Sequence, residues 1–218
     1  MADPAQNTPS IEQAALKSIR NFSLLSMTGY LILTIAFLLL IALPVVVYSI
    51  ISPASTSTSA LTRPLISLLA AYLSMIVAGS VILVIAIIPL RWGYGDLKKI
   101  SEDFSLPYTG TTLYFVGLIL VVLGVLATMV SVLVFPRTPS IFGSLAIAVI
   151  GGIMVFIGGI LTLIVGAFRL DRRYGGFTAP AVLFILGLFF SLFSFVAVII
   201  MYNRTTREIR KLSAVGPT

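Results

Sequence analysis

The sequence predicts an all-α fold, a polytopic membrane helix bundle of five transmembrane helices with short interfacial amphipathic helices. Three observations carry this expectation. Of 218 residues, 59% are hydrophobic and 10% charged, against roughly 25% charged in soluble domains. The apolar residues fall into five runs, at 24–51, 65–90, 111–135, 141–168 and 179–202, none of which contains Asp, Glu, Lys or Arg. Each run exceeds the roughly 20 residues that cross a bilayer as a helix, and none alternates with the period of a barrel strand. Helices follow because a backbone in lipid must pair its own polar groups.

Residues 1–23 are expected to form an N-terminal coil and an interfacial helix. Ser10 and Gln13 make a capping-box pattern, and Ile11, Ala15, Ile19 and Phe22 share one face opposite Glu12, Lys17 and Arg20. The first run is far longer than the about 7 to 15 apolar residues of a signal peptide, so it is expected to be retained. Within it, Pro44 frees the Leu40 carbonyl and predicts a bend. Ala70, Ser74 and Ala78 give the second run a small-residue face suited to helix contact. The segment GDLKKISEDF, 95–104, repeats the amphipathic pattern through Leu97, Ile100 and Phe104 beside Lys98 and Lys99.

The third run spaces Gly117, Gly124 and Ser131 seven apart, and the fourth spaces Gly152, Gly159 and Gly166 likewise, with Gly151 and Gly158 alongside. Seven residues are nearly two turns, so each set forms a stripe along which helices in lipid pack closely. Gly117, Gly124, Gly151, Gly152, Gly158, Gly159 and Gly166 are therefore the expected helix-packing residues. The stretch AFRLDRRYGGFTAP, 167–180, ends the fourth span with Arg169, Arg172 and Arg173. These, with Lys17, Arg20, Arg91, Lys98 and Lys99, are expected as anchors in the head-group layer.

Internal similarity organises the chain. LKSIRNFSL at 16–24 resembles LKKISEDFSL at 97–106, Thr28-Gly29 corresponds to Thr109-Gly110, and FSLP at 104–107 is echoed by FTAP at 177–180. The expected transmembrane domain, 24–202, then comprises hairpin repeats 24–90 and 111–168 and a half repeat 179–202, with a basic tail at 203–218. Two crossings per unit make the repeats parallel about an axis along the membrane normal. Basic residues flanking every membrane helix would give a similar pattern.

The net charge of +7 sits at span ends, which points to lipid head groups and away from nucleic acid. All eight anchor residues fall on one face of the expected topology, against Arg63 and Arg137 on the other, so the N-terminus is expected in the cytoplasm of a multi-pass cytoplasmic-membrane protein. Five crossings send Arg204, Arg207, Arg210 and Lys211 to the opposite side. Either the loop signals dominate and the tail lies outside, the preferred resolution, or one span does not cross.

The chain has no histidine and no cysteine, which removes Ser-His catalysis, thiolate chemistry and disulfides. Asp96, Asp103 and Asp171 lie in loops beside basic residues and are expected in solvated ion pairs. No phosphate-binding or nucleophile-elbow motif occurs. No cofactor and no metal are expected, and the uncharged spans disfavour a proton-coupled carrier. Thr28, Tyr30, Thr34, Tyr72, Ser80, Thr128, Thr162, Ser191 and Ser194 could line a polar route, although hydroxyls in membrane helices usually bond their own backbone.

The exits GAFRLDRRYGGF and RWGYGDLKKISEDF resemble an archaeal multi-pass membrane family of unknown function, domain of unknown function nine-seven-three. The likeness covers about residues 10 to 205 and implies a multi-pass helical fold in a single ether-lipid membrane, with no functional residue to carry over. The expected role is a non-catalytic integral membrane protein, an accessory or scaffolding subunit in contact with membrane lipids and with other membrane subunits or itself. The alternative is a channel or facilitative transporter for a small uncharged solute. A lipid-directed enzyme would need Asp96, Asp103 or Asp171 to converge with basic residues in one pocket.

Overall fold

The computed structural model describes residues 8–51, 58–134 and 140–214, and these are helical throughout apart from short turns. The helices are α1 (Thr8–Ile51), α2 (Thr58–Ile100), α3 (Ser105–Val134), α4 (Ser140–Gly159), α5 (Gly166–Tyr174), α6 (Thr178–Gly187) and α7 (Ser191–Ala214). A 3-10 turn, Glu102–Phe104, joins α2 to α3, and a π-helical segment, Ile160–Val165, joins α4 to α5 without a break. Among the described residues four stretches, Ser10–Ile41, Ala70–Ile100, Glu102–Ser131 and Phe142–Tyr174, are long and apolar enough to cross a membrane. The first seven residues, Arg137 and the last four residues lie outside the described part.

Helices α1 and α2 pack as an antiparallel hairpin in which Gly29 of α1 faces Gly79 of α2. Helices α3 and α4 form a second hairpin, closer still. A Cβ on Gly117 would lie 2.6 Å from the Val155 amide nitrogen, one on Gly124 2.5 Å from that of Ala148, and one on Gly151 2.7 Å from that of Val121. Gly158 is equally crowded by the backbone of Tyr114. Backbone meets backbone along this seam, the arrangement by which helices gain dispersion contacts in lipid. Large apolar side chains on the outer faces, Leu24, Leu38, Ile85, Leu123, Val130 and Ile153 among them, are exposed, as lipid-facing residues must be.

Helix α1 is 44 residues long, about 66 Å at 1.5 Å per residue, which is twice the roughly 30 Å hydrocarbon layer. Its N-terminal turns carry the polar residues Glu12, Lys17 and Arg20 ahead of the apolar run. Neither stretch expected as an interfacial helix stands as a separate one: residues 8–23 run on directly within α1, and 95–100 are the last turns of α2, followed by the 3-10 turn at 102–104. The reason is an alternative burial. Ala15, Leu16, Ile19 and Phe22 are buried in the same core as Leu90, Tyr94, Leu97 and Phe104, instead of lying on lipid. Leu170, Phe177 and Met201 close this core from α5, the α5–α6 turn and α7.

The fifth apolar run departs most from expectation. It breaks at residues 188–190 into α6 and α7, which pack antiparallel: Gly187 lies against Ser194, and Gly176 against Arg204. Helix α7 runs back along α1, with Phe190 edge-on to Phe37 at its start and Ser213 accepting a 2.7 Å hydrogen bond from Gln13 at its end. Phe37 is about midway along the first apolar run, so α6 enters the bundle, turns near mid-depth and returns as α7. The tail thus lies at the N-terminal end of α1, beside the other basic residues. The fifth apolar run, expected as one crossing, is thus two helices, and neither is among the stretches long and apolar enough to cross a membrane.

The hairpin seam generates a contrast in stability. Gly117→Ala and Gly124→Ala should each lower the unfolding midpoint in detergent, by roughly 1–3 kcal/mol, because the added methyl has backbone in its place. Gly143→Ala, where a Cβ meets nothing within 4 Å, should be neutral or slightly stabilising. Equal effects at all three positions would contradict the close seam.

Candidate functional site

The two hairpins are joined near the basic end by tyrosines. Tyr94 projects from α2 into the fourth helix, where its hydroxyl donates to the Thr162 carbonyl at 3.0 Å and its ring stacks on Phe104. A π turn shifts the usual i+4 pairing of a helix; here the Gly166 amide bonds the Leu163 carbonyl and the Tyr94 hydroxyl bonds the Thr162 carbonyl. Gly166 lies directly against the Tyr94 hydroxyl and ring, with no room for a Cβ. Tyr30 of α1 and Tyr114 of α3 make the second link, a hydroxyl–hydroxyl hydrogen bond of 3.1 Å.

Above this second link lies a cavity of about 340 Å³. Leu83, Leu118, Phe156 and Phe184 give it apolar walls, and Tyr30, Ser80, Tyr114 and Ser194 bring hydroxyls to it. On α1 and α3 the lining residues nearest the basic end are Tyr30 and Tyr114, so the bonded pair forms the floor. Gly187 and Leu188, at the turn between α6 and α7, line one side. Break and cavity therefore coincide. Backbone amides at the break stay paired, Leu188 to the Ile185 carbonyl at 3.2 Å and Phe189 and Phe190 to that of Leu186 at 3.1 Å, which is what allows a chain reversal at this depth.

The glycine stripe of the fourth span is divided by this geometry. Gly151 and Gly158 meet α3 with Gly117 and Gly124, whereas Gly152 lines the cavity and a Cβ there would meet nothing within 4 Å. Gly159 also lines it, at ordinary contact from the Tyr114 ring, 3.8 Å. Gly166 faces α2 instead of α3, because the π segment inserts one residue and turns the following helix by about 100°. Of the hydroxyls read as a route, Tyr30, Ser80 and Ser194 line the cavity. Thr34 bonds the Tyr30 carbonyl and Thr128 the Gly124 carbonyl, as helix hydroxyls commonly do. Thr162 is buried, and its hydroxyl has no hydrogen-bond partner among the described residues.

The expected anchors divide into ties and free-standing charges. Arg173 pairs with Glu12, and Arg169 with Asp103 at 2.5 Å, joining the fourth helix to α1 and to the α2–α3 turn. Lys99 pairs with Asp96 at 2.7 Å. Arg91 and Lys98 both lie over the Tyr108 ring, at 5.4 and 5.2 Å from its centroid. Lys17 and Arg172 are exposed and Arg20 is half-buried. Asp171 accepts from the Phe177 and Thr178 amides at 2.7 and 3.0 Å and from the Thr178 hydroxyl at 2.8 Å. It thereby closes the turn at Gly175 and Gly176, whose φ of 73° and 77° favour glycine. The three aspartates thus serve three separate places, and of them Asp96 alone lines a concavity with basic residues, Arg91, Lys98 and Lys99.

Tyr94, Tyr108 and Tyr114 escaped the sequence reading because a tyrosine at a span end reads as an interfacial anchor. Only Tyr94, four residues into a charged segment yet followed by Leu97 at helical spacing, carried a hint of burial.

A model of the family described as Protein of unknown function (DUF973) matches residues 12–216. No curated protein and no solved structure matches the chain.

The Tyr94 link predicts the outcome of one atom's removal. Tyr94→Phe keeps the ring on Phe104 but removes the hydroxyl that bonds the buried Thr162 carbonyl, which should cost about 1–3 kcal/mol in detergent unfolding. A loss below a few tenths would mean that the carbonyl has another donor.

Proposed function

The chain belongs to this family, and from its four apolar helices and its cavity we propose that it is a carrier-type protein for a small uncharged solute. The observation that carries this reading is the cavity between the hairpins, floored by the Tyr30–Tyr114 bond and flanked by the break at 188–190. Its size falls in the range of about 300 to 1,000 Å³ typical of ligand pockets, and mostly apolar walls with a few converging polar groups are what such pockets show. With two Tyr and two Ser hydroxyls and no charge, it suits a neutral molecule bearing one or two hydrogen-bonding groups. Discontinuous helices at mid-depth are also where transporters build their sites. The role is non-catalytic: the solute is bound and released with no bond changed.

In this reading the N-terminus and tail face the cytoplasm, since Lys17, Arg20, Arg91, Lys98, Lys99, Arg169, Arg172, Arg173 and the four cations of 204–211 share one end. A second reading, an accessory or scaffolding subunit that meets other membrane subunits or itself, rests on Phe142 and Phe189, 77% and 72% exposed. A stable complex with another membrane protein on native mass measurement, lost on Phe142→Ala with Phe189→Ala, would favour it.

Flux decides the main reading. Vesicles holding the chain should swell faster than empty ones in at least one of glycerol, urea and propylene glycol. Gly152→Leu, which fills the cavity where no backbone stands in the way, should cut that rate at least about tenfold without lowering stability. No acceleration for any solute, or full flux through Gly152→Leu, would sink the carrier reading.

A further inference from the structure

A second concavity, about 530 Å³, lies outside the hairpins' cavity, where the end of α2 meets the start of α3. Arg91, Trp92, Asp96, Lys98, Lys99 and Tyr108 line it. The Tyr108 ring forms its back wall and rests against Gly95, where a Cβ would come within 3.4 Å of the ring. Arg91 and Lys98 converge on that ring from two positions two turns apart on α2, and Arg91 also reaches the Tyr108 hydroxyl at 3.5 Å. Asp96 is the one acid in the lining, and Lys99 already engages it. Among the described residues no carboxylate pairs with Arg91 or Lys98. Two cations are thus held together, by an aromatic face that does not neutralise them.

Depth identifies the complement. Arg91 directly follows the last residue of the uncharged run 65–90, which places it at the layer of lipid phosphates. Trp92, 64% exposed beside it, has the indole that favours that same layer. A soluble anion would gain nothing from such a position, whereas a lipid headgroup is delivered to it by its own acyl chains.

We propose that this groove is a discrete binding site for the phosphate of an anionic phospholipid, with Arg91 and Lys98 as the groups that hold the phosphate and Trp92 packed against the glycerol region. This differs from the diffuse attraction of a basic membrane face, because one lipid is bound at one place and Tyr108 fixes the spacing of the two cations. It stands independently of the solute cavity.

Native mass spectrometry of the full chain in mild detergent, with phosphatidylglycerol or phosphatidylcholine added, tests it. Phosphatidylglycerol should give one saturable adduct and phosphatidylcholine none of comparable strength. Near a membrane surface each basic side chain contributes roughly a fivefold factor, so Lys98→Gln, an exposed position, should weaken the adduct roughly fivefold. Arg91→Gln with Lys98→Gln should weaken it roughly thirtyfold. The equally basic pair Arg207→Gln with Arg210→Gln on α7 should change it less than about threefold. A full adduct on the doubly substituted groove, or an equal loss from the α7 pair, would overturn the site. Displacement of the lipid by millimolar inorganic phosphate alone would overturn the lipid assignment in favour of a soluble phosphate.

Discussion

A backbone carbonyl opened inside an apolar layer has no water to bond, and leaving one unpaired costs several kcal/mol. The fourth helix shifts its backbone pairing at the π segment, and Tyr94 from the other hairpin donates to the Thr162 carbonyl there. Much of the architecture depends on this exchange. The π segment turns the helix so that Gly166 faces α2 and admits the tyrosine ring. The ring in turn stacks on Phe104 and so fixes the turn between α2 and α3. One phenol therefore ties the two hairpins, the connection between them and the exit of the fourth helix.

Around that tie the molecule is unevenly packed. Tyr94, Phe22, Phe104, Phe177, Leu16, Ile19, Leu97 and Leu170 are all fully buried, and all lie toward the basic end. The ion pairs there, Arg173 with Glu12 and Arg169 with Asp103, are partly exposed, and pairs of that kind contribute at most about 1 kcal/mol each. Apolar burial outweighs them and holds the end closed. Farther along, each hairpin is kept together by its own glycine seam while the space between the hairpins holds the cavity. The returning α6–α7 pair borders that cavity through Phe184, Gly187, Leu188 and Ser194.

The helical class, the spans and the close α3–α4 contact were legible because composition and seven-residue spacing record them directly: Gly117, Gly124, Gly151 and Gly158 all lie in the seam. The fifth run misled because length and apolarity alone cannot distinguish a crossing from two short helices. The clue lay in the tail, whose Arg204, Arg207, Arg210 and Lys211 sit with the other cations only if the chain turns back. The amphipathic segments at 11–22 and 95–104 were recognisable, but an apolar face reads the same whether it meets lipid or protein. Gly166 could not be assigned from spacing because the π segment that rotates it leaves no mark in ILTLIV, and Gly152, one residue from the seam glycine Gly151, could be assigned only once the cavity beside it was in view. Likewise the pairing of Tyr30 with Tyr114, 84 residues apart, exists only once both hairpins are folded together.

The returning pair is the element on which cavity, charge distribution and closed base all converge, and its sidedness is directly measurable. The chain has no cysteine, so single cysteines placed at Ser10, Ser213 and Thr58 can be labelled with a membrane-impermeant maleimide in sealed, uniformly oriented vesicles. Ser10→Cys and Ser213→Cys should react from the same side and Thr58→Cys from the other. Labelling of Ser213→Cys together with Thr58→Cys, opposite to Ser10→Cys, would restore a fifth crossing and contradict this account.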